Sequence, residues 1–227
     1  MKQNTIKVLL GLAALFCLIT NTYGQKDIYE SSLFDELSQD HQVLAIIPFL
    51  TQLELEQDLP KAERKRLAQN EGYAVQEALE IYFSNRRKRK KFQVEFQNTQ
   101  DTNALLAQQG ITYANIDIYT TKELCEILKV DGIISGNLTL NILLSKGIST
   151  KFNLWDYLNR NADYGRIGIK ISDGNSGKLL WRFEKEITKK SGKNTTELID
   201  KMMKQASRKF PYDKEKKERK KKKNKED

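Results

Sequence analysis

The chain has 227 residues, with 39 Lys and Arg against 30 Asp and Glu, a net charge of +9, two cysteines and one histidine. This length fits one domain with tails. After loss of a leader that contains Cys17, only Cys125 remains, which excludes an internal disulfide and leaves the fold dependent on its hydrophobic core. Cys125 lies in an amphipathic helical pattern and is expected to be part of that core.

Residues 1–24 have the pattern of a secretory signal peptide. Lys2 and Lys7 give a positive start, Val8–Ile19 is an unbroken apolar stretch, and Thr22–Gly24 supplies small residues. A membrane-spanning helix needs about 20 apolar residues, so this stretch is short for an anchor. We therefore predict export to the periplasm with cleavage after Gly24. An uncleaved anchor is the alternative.

Residues 25–42 are predicted to be a polar lead-in to the domain. They contain the one histidine, His41, directly before the first apolar run. No nucleophile motif and no metal-ligand spacing surround it, so we expect a solvent-exposed loop side chain.

A buried strand and a long helix come next. Val43–Phe49 is a continuous apolar run, typical of a strand covered on both faces, and Pro48 marks the exit of that strand. Apolar residues then recur at helical spacing, which predicts a helix of about 20 residues from about Lys61. The apolar positions of this helix are Ala68, Val75, Leu79 and Tyr82.

The helix runs into six consecutive bases, called the basic hexad below. Its members are candidate binding residues: Arg86, Arg87, Lys88, Arg89, Lys90 and Lys91. Cations at a helix C-terminus are favoured by the helix dipole, so a solvated helix end is the alternative interpretation. Nucleic acid is not a predicted partner, because an exported chain does not meet it and no aromatic residues are interleaved with the bases.

Four further elements are predicted between residues 92 and 138. Phe92–Phe96 alternates with period two and predicts a half-buried strand, and Asp101–Gln109 predicts a short helix. Thr120 and Glu123 form a capping box that starts another helix. The apolar run Val130–Leu138 predicts a strand. Two glycines in this run indicate close approach by another backbone: Gly132 and Gly136.

Residues 143–164 are expected to be an insertion specific to this chain. Its apolar and aromatic residues are candidate binding residues: Phe152, Trp155, Tyr157 and Leu158. Trp and Tyr are frequent anchors of binding surfaces. A small satellite core is the alternative.

The clearest local pattern is a β-hairpin. Isoleucines alternate with small and polar residues over 167–172, a Gly-Asn-Ser-Gly turn follows, and apolar residues line one face of 179–187. Asn194 with Glu197 then caps a last helix. The apolar positions of that helix are Leu198, Met202, Ala206 and Phe210, ahead of Pro211.

The C-terminal residues form a basic tail. Residues 214–227 hold nine bases, four acids and no apolar residue, which predicts disorder. The predicted domain ends at residue 212, and the tail is assigned residues 213–227. The tail contributes +5, the basic hexad +6 and the leader +2, so subtraction from +9 leaves −4 for the rest. The tail's candidate binding residues are Lys220, Lys221, Lys222 and Lys223. Each base near an anionic surface contributes up to about 1 kcal/mol, and a solubilising tail is the alternative.

The order of elements is β-α-β-α-α-β-β-β-α. It predicts an α/β domain over residues 43–212, built on a single mixed β-sheet covered by helices, with a C-terminal β-hairpin and a final helix.

Three of these motifs, with the final helix before Pro211, resemble a group of bacterial envelope lipoproteins. The motifs are Val43–Phe49, Val130–Gly136 and Asp173–Trp181. The group includes the curli secretion lipoprotein, the outer-membrane activators of penicillin-binding proteins and the N-terminal domain of the Tol-system propeller protein. The resemblance implies a periplasmic adaptor. Cys17 departs from the pattern, because it follows Phe16, whereas the lipid-modified cysteines of such proteins follow a small residue.

The sequence thus predicts a non-enzymatic accessory protein of envelope assembly or secretion that binds a protein partner. No catalytic residue, cofactor site or metal site is predicted, because no nucleophile, phosphate-loop or metal-ligand motif is present. Two alternatives remain. One is electrostatic binding of anionic lipid or an envelope polymer through the basic segments, and the other is an unrecognised hydrolase.

Overall fold

The computed structural model describes residues 27–87, 92–147, 163–188, 191–206 and 210–213. Its strands are β1 (Asp27–Glu30), β2 (Val43–Ile46), β3 (Leu50–Leu53), β4 (Glu95–Phe96), β5 (Gly132–Leu140), β6 (Asp163–Asp173) and β7 (Leu179–Thr188). Its helices are α1 (Phe34–Leu37), α2 (Lys61–Arg87), α3 (Thr99–Gln108), α4 (Thr121–Leu128) and α5 (Thr195–Ala206), with one 3₁₀ turn at Ile116–Ile118.

The strands form one mixed sheet in the order β1-β7-β6-β5-β2-β4, and β3 pairs with the far end of β5. Strands β2, β3 and β4 run parallel to their neighbours, whereas β5, β6, β7 and β1 are joined by antiparallel pairs. The predicted α/β architecture with a single mixed sheet, a C-terminal hairpin and a final helix is confirmed.

Helices α2 and α5 cover one face of this sheet. Alternate residues of the central strands point into this core, for example Ile134, Ile167 and Ile169, and all three are buried with Leu79 of α2 and Met202 of α5. The 3.6-residue period of the helices and the two-residue period of the strands bring these apolar faces together. This is the main hydrophobic core of the protein.

Helices α3 and α4 cover part of the opposite face. They pack over β2 and the start of β5, where Ala45 and Ile133 are buried against Leu106 and Leu128. Cys125 is buried in the same cluster, so the expectation that it is a core residue is confirmed. The predicted capping box of Thr120 and Glu123 is present at the start of α4.

Segment 25–42, expected to be a plain lead-in, contains regular structure. Strand β1 adds to the edge of the sheet by pairing antiparallel with β7, and Phe34 of α1 is buried in the main core. The apolar run Val43–Phe49 is also shorter as a strand than expected, because β2 ends at Ile46 before Pro48 and the chain pairs with β5 again as β3. Proline has no N–H to continue a ladder.

Two other predictions differ in detail. Of the strand expected over residues 92–96, only Glu95–Phe96 is a strand, and Phe92 forms an isolated bridge with Asp213. Asp213 was assigned to the tail but is buried. The close approach expected at Gly136 is present, since a Cβ there would overlap the carbonyl oxygen of Gly168 and the ring of Phe49.

Candidate functional site

One half of the second sheet face is left uncovered by the described helices, and we call it the open face. Strand pairing places its side chains on the same side of β3, β5, β6, β7 and β1. Its residues are Tyr29, Leu50, Gln52, Ser135, Asn137, Thr139, Arg166, Gly168, Lys170, Arg182, Glu184 and Glu186. Tyr29 is 43% exposed and Leu50 is 37% exposed. The open face therefore combines hydrogen-bonding groups, charges and two exposed apolar side chains on a rigid surface.

Charges on the open face are mostly paired. Arg166 lies 3.6 Å from Glu186 on the neighbouring strand, and Arg182 lies 3.4 Å from Glu184 on its own strand. Lys170 is the exception, because it makes no ion pair among the described residues. Its cross-strand neighbour on β7 is Arg182, another base. Like charges directly opposite each other in a sheet repel.

The structure also brings the first residue of the basic hexad next to the residue that precedes the basic tail. Arg86, the first residue of the basic hexad, donates a hydrogen bond from Nη2 to Oδ2 of Asp213 at 3.2 Å. Asp213 is the residue before the basic tail. The guanidinium of Arg86 also lies 5.5 Å from the ring centre of Tyr82 and 5.9 Å from that of Phe92. Arg86 is thus held by an acid and by aromatic rings. We call the region around Arg86 and Asp213 the basic pole.

Aromatic packing fixes the residues that lead to the basic pole. The ring of Phe210 lies 5.6 Å from Trp181, 5.4 Å from Phe83 and 5.6 Å from Phe92. Phe210 and Tyr212 are each 2% exposed. The origin of the tail is therefore anchored in the main core.

The expectation that His41 is solvent-exposed is wrong. Its side chain is 5% exposed and lies 2.8 Å from Oδ1 of Asp173 through Nε2, and 2.6 Å from the hydroxyl of Tyr212 through Nδ1. In the tautomer that satisfies both contacts, Nε2–H donates to Asp173 and the Tyr212 hydroxyl donates to Nδ1. His41 is buried because Tyr212, 171 residues later in the chain, folds back over it.

The ionisation of this cluster reflects its burial and its hydrogen bonds. Burial raises the pKa of Asp173, but hydrogen bonds from Ser176 and from His41 lower it more, so the pKa of Asp173 lies below its ordinary value. Burial, with the charges of Asp173 and Asp131, raises the pKa of Tyr212. The same causes raise the pKa of the Cys125 thiol to about 12. The raised pKa values keep the phenol and the thiol protonated at neutral pH.

A small groove lies between α2 and the start of α5. Its volume is about 310 Å³, and its lining includes Ala74, Ala78, Ile81 and Thr195. Nearby, Glu71 is fully buried and accepts hydrogen bonds from the backbone N–H and hydroxyl of Ser145. Burial raises the pKa of Glu71, against the lowering effect of those hydrogen bonds. Among the residues that the structure describes, no group of three potential metal ligands is present.

The predicted site residues are only partly within the described residues. Arg86 is at the basic pole, and Arg87 is the last residue of α2. The other predicted site residues lie outside the described residues: Lys88, Arg89, Lys90, Lys91, Phe152, Trp155, Tyr157, Leu158, Lys220, Lys221, Lys222 and Lys223.

The open face was missed in the sequence. A signal for it exists, because Arg166, Gly168 and Lys170 alternate with buried residues of β6. That pattern shows which residues share a face, but it does not show that no helix covers them.

The described helices include none with the length and apolar character needed to cross a bilayer.

No protein-family model matches the sequence, and no curated protein matches it. In structure, the chain is similar to the C-terminal domain of LpoB from Escherichia coli, with 11% identity, a TM-score of 0.36, and coverage of 66% of this chain and 84% of that chain. It is also similar to lipoprotein GNA1162 from Neisseria meningitidis, with 13% identity, a TM-score of 0.45, and coverage of 73% and 98%.

The PelC dodecamer from Paraburkholderia phytofirmans gives 11% identity, a TM-score of 0.36, and coverage of 79% of this chain and 96% of that chain. Because all three TM-scores are below 0.5, no activity or partner of this chain follows from them.

Proposed function

We propose that the chain is an exported, non-enzymatic adaptor or accessory protein of the bacterial cell envelope, which binds a protein partner in the periplasm during envelope assembly or secretion. Export is supported by the signal-peptide pattern of residues 1–24. Protein binding is supported by the open face, which is the single observation on which the proposal depends.

The composition of the open face suits protein recognition. Tyr and Arg are enriched in protein interfaces, and Tyr29 and Arg182 are direct neighbours across β1 and β7. The backbone of paired strands is already fixed, so its ordering is not an additional cost when a partner binds. Strand β1 is short, which limits unspecific pairing at this edge of the sheet.

Site-specific photo-crosslinking in cells tests this proposal. A photo-reactive phenylalanine analogue replaces Tyr29, and a matched control carries it at Lys65, an exposed position on α2. We expect a discrete crosslinked protein from position 29, identified by mass spectrometry, and none from position 65. Equal products from both positions, or none from position 29, would contradict binding through the open face.

We propose electrostatic binding to an anionic surface as a second candidate function. The observation in its favour is the Arg86–Asp213 contact, because it places the start of the basic hexad next to the start of the basic tail. The two segments carry +6 and +5 in the sequence, and charges that lie together attract an anionic surface more strongly than separate ones. Anionic lipid and acidic envelope polymer share this chemistry.

Vesicle sedimentation tests the second candidate. Deletion of residues 214–227 should weaken binding to phosphatidylglycerol vesicles at least about tenfold without a change in Tm, because a net charge of +5 is lost and the tail begins after the buried anchor. Raising the salt concentration should weaken the binding of the intact chain in the same direction. Unchanged sedimentation of the deletion variant would eliminate this function.

The Arg86→Gln variant tests the contact at the basic pole without changing the basic tail. It should lower the free energy of unfolding by about 1–3 kcal/mol, because Asp213 keeps only 4% side-chain exposure and would lose the charged donor. A variant with Ser84, an exposed residue two positions before Arg86 on α2, changed to Ala is the control. Urea denaturation measures both.

A further inference from the structure

We infer that the open face binds an acidic segment of a protein partner, with a partner carboxylate placed between Lys170 and Arg182. The inference rests on the proposed adaptor function and adds the chemistry of the partner and the position of the contact. The charge arrangement of the face itself favours a protein over a lipid surface as the occupant.

A single row of side chains across four strands carries the inference. Strand pairing aligns Ser135, Lys170, Arg182 and Tyr29 in this order on one face. The row therefore presents a hydroxyl, two neighbouring bases and an exposed phenol. A carboxylate accepts hydrogen bonds from all four kinds of group.

The placement of Lys170 opposite Arg182 costs stability in the free protein, because like charges face each other across the pair of strands. A carboxylate between them would offset that repulsion. Arg182 already has Glu184 within 3.4 Å, whereas Lys170 makes no ion pair among the described residues. Lys170 is therefore the positive charge that a partner would neutralise.

A bilayer does not fit this pattern. Glu184 and Glu186 lie on the same face, next to the row of bases, and a uniformly anionic plane would meet these carboxylates as well. A protein partner can place an acid opposite Lys170 and a base or an amide opposite Glu184. The basic pole, in contrast, lies against the core on the other side of the sheet, where Phe92 and Phe210 are buried.

Nuclear magnetic resonance with a defined probe tests the inference. The ¹⁵N-labelled chain beginning at Gln25 is titrated with a peptide that contains four consecutive glutamates, and separately with the same peptide carrying four glutamines. We expect amide shifts at Tyr29, Ser135 and Lys170 with the glutamate peptide only. The Lys170→Glu variant should bind at this site at least about tenfold more weakly, whereas Lys65→Glu, with the same change of charge, should bind within about twofold of the parent.

Two results would overturn the inference. Shifts confined to Arg86 and residues 214–227 would show that the acidic peptide binds the basic pole only. Phosphatidylglycerol vesicles that perturb the open face as the peptide does would make lipid its occupant. If the peptide fails at the open face while position 29 still crosslinks to a protein, the acidic partner is wrong and the adaptor function stands.

Discussion

Trp181→Ala is expected to lower the free energy of unfolding by about 3–5 kcal/mol, the usual range for removal of a fully buried Trp. Trp181 has no exposed surface, and its ring contacts Phe210 at 5.6 Å and Phe183 at 6.1 Å between ring centres. Through Phe210 it supports the segment that leads to the basic pole. Urea denaturation followed by circular dichroism measures the loss without relying on the fluorescence of Trp155.

Trp181→Phe is the control for this effect. Nε1 of Trp181 is buried and has no hydrogen-bond partner in the part of the chain that the structure describes, so the phenylalanine ring removes volume but breaks no described hydrogen bond. The loss should therefore be clearly smaller than that of Trp181→Ala. A loss below about 1 kcal/mol for Trp181→Ala would show that the ring does not support the core.

Elements encoded by local patterns could be predicted from the sequence. The isoleucine alternation of β6 and the Gly-Asn-Ser-Gly turn specify a hairpin within about 20 residues of chain, and Thr120 with Glu123 specifies the start of α4. Helix α2 was predicted at about 20 residues and has 27, because the apolar pattern fades before the helix ends.

Elements that depend on distant partners could not be predicted. Strand β1 has four residues and is a strand because β7 lies beside it, more than 150 positions later in the chain. His41 is another example, since its polar neighbours in sequence indicate a loop and its burial comes from Tyr212 and Asp173. The basic segments could be identified by composition, but the contact of Arg86 with Asp213, 127 residues away, could not.

Asp173→Asn is expected to lower the free energy of unfolding at pH 7 by about 2–4 kcal/mol, because it replaces a buried carboxylate whose two oxygens accept hydrogen bonds from different donors. Oδ1 accepts from His41 at 2.8 Å and Oδ2 accepts from the backbone N–H of Ser176 at 2.7 Å. An amide has one oxygen, so its NH₂ group must face one of these donors. The C-terminal segment held by Tyr212 would lose part of its support.

The pH dependence of this effect follows from the lowered pKa of Asp173. An aspartate whose folded pKa lies below its unfolded value of about 3.9 stabilises the fold fully above that value, and the contribution is lost as pH falls through the folded pKa. The difference in unfolding free energy between the parent and Asp173→Asn should therefore shrink below about pH 4, as the carboxylate of the parent becomes protonated. Asp117→Asn, at an exposed position, should change stability by less than about 0.5 kcal/mol at every pH. If the difference for Asp173→Asn does not shrink in acid, the charge of Asp173 is not what holds His41 and Ser176 in place.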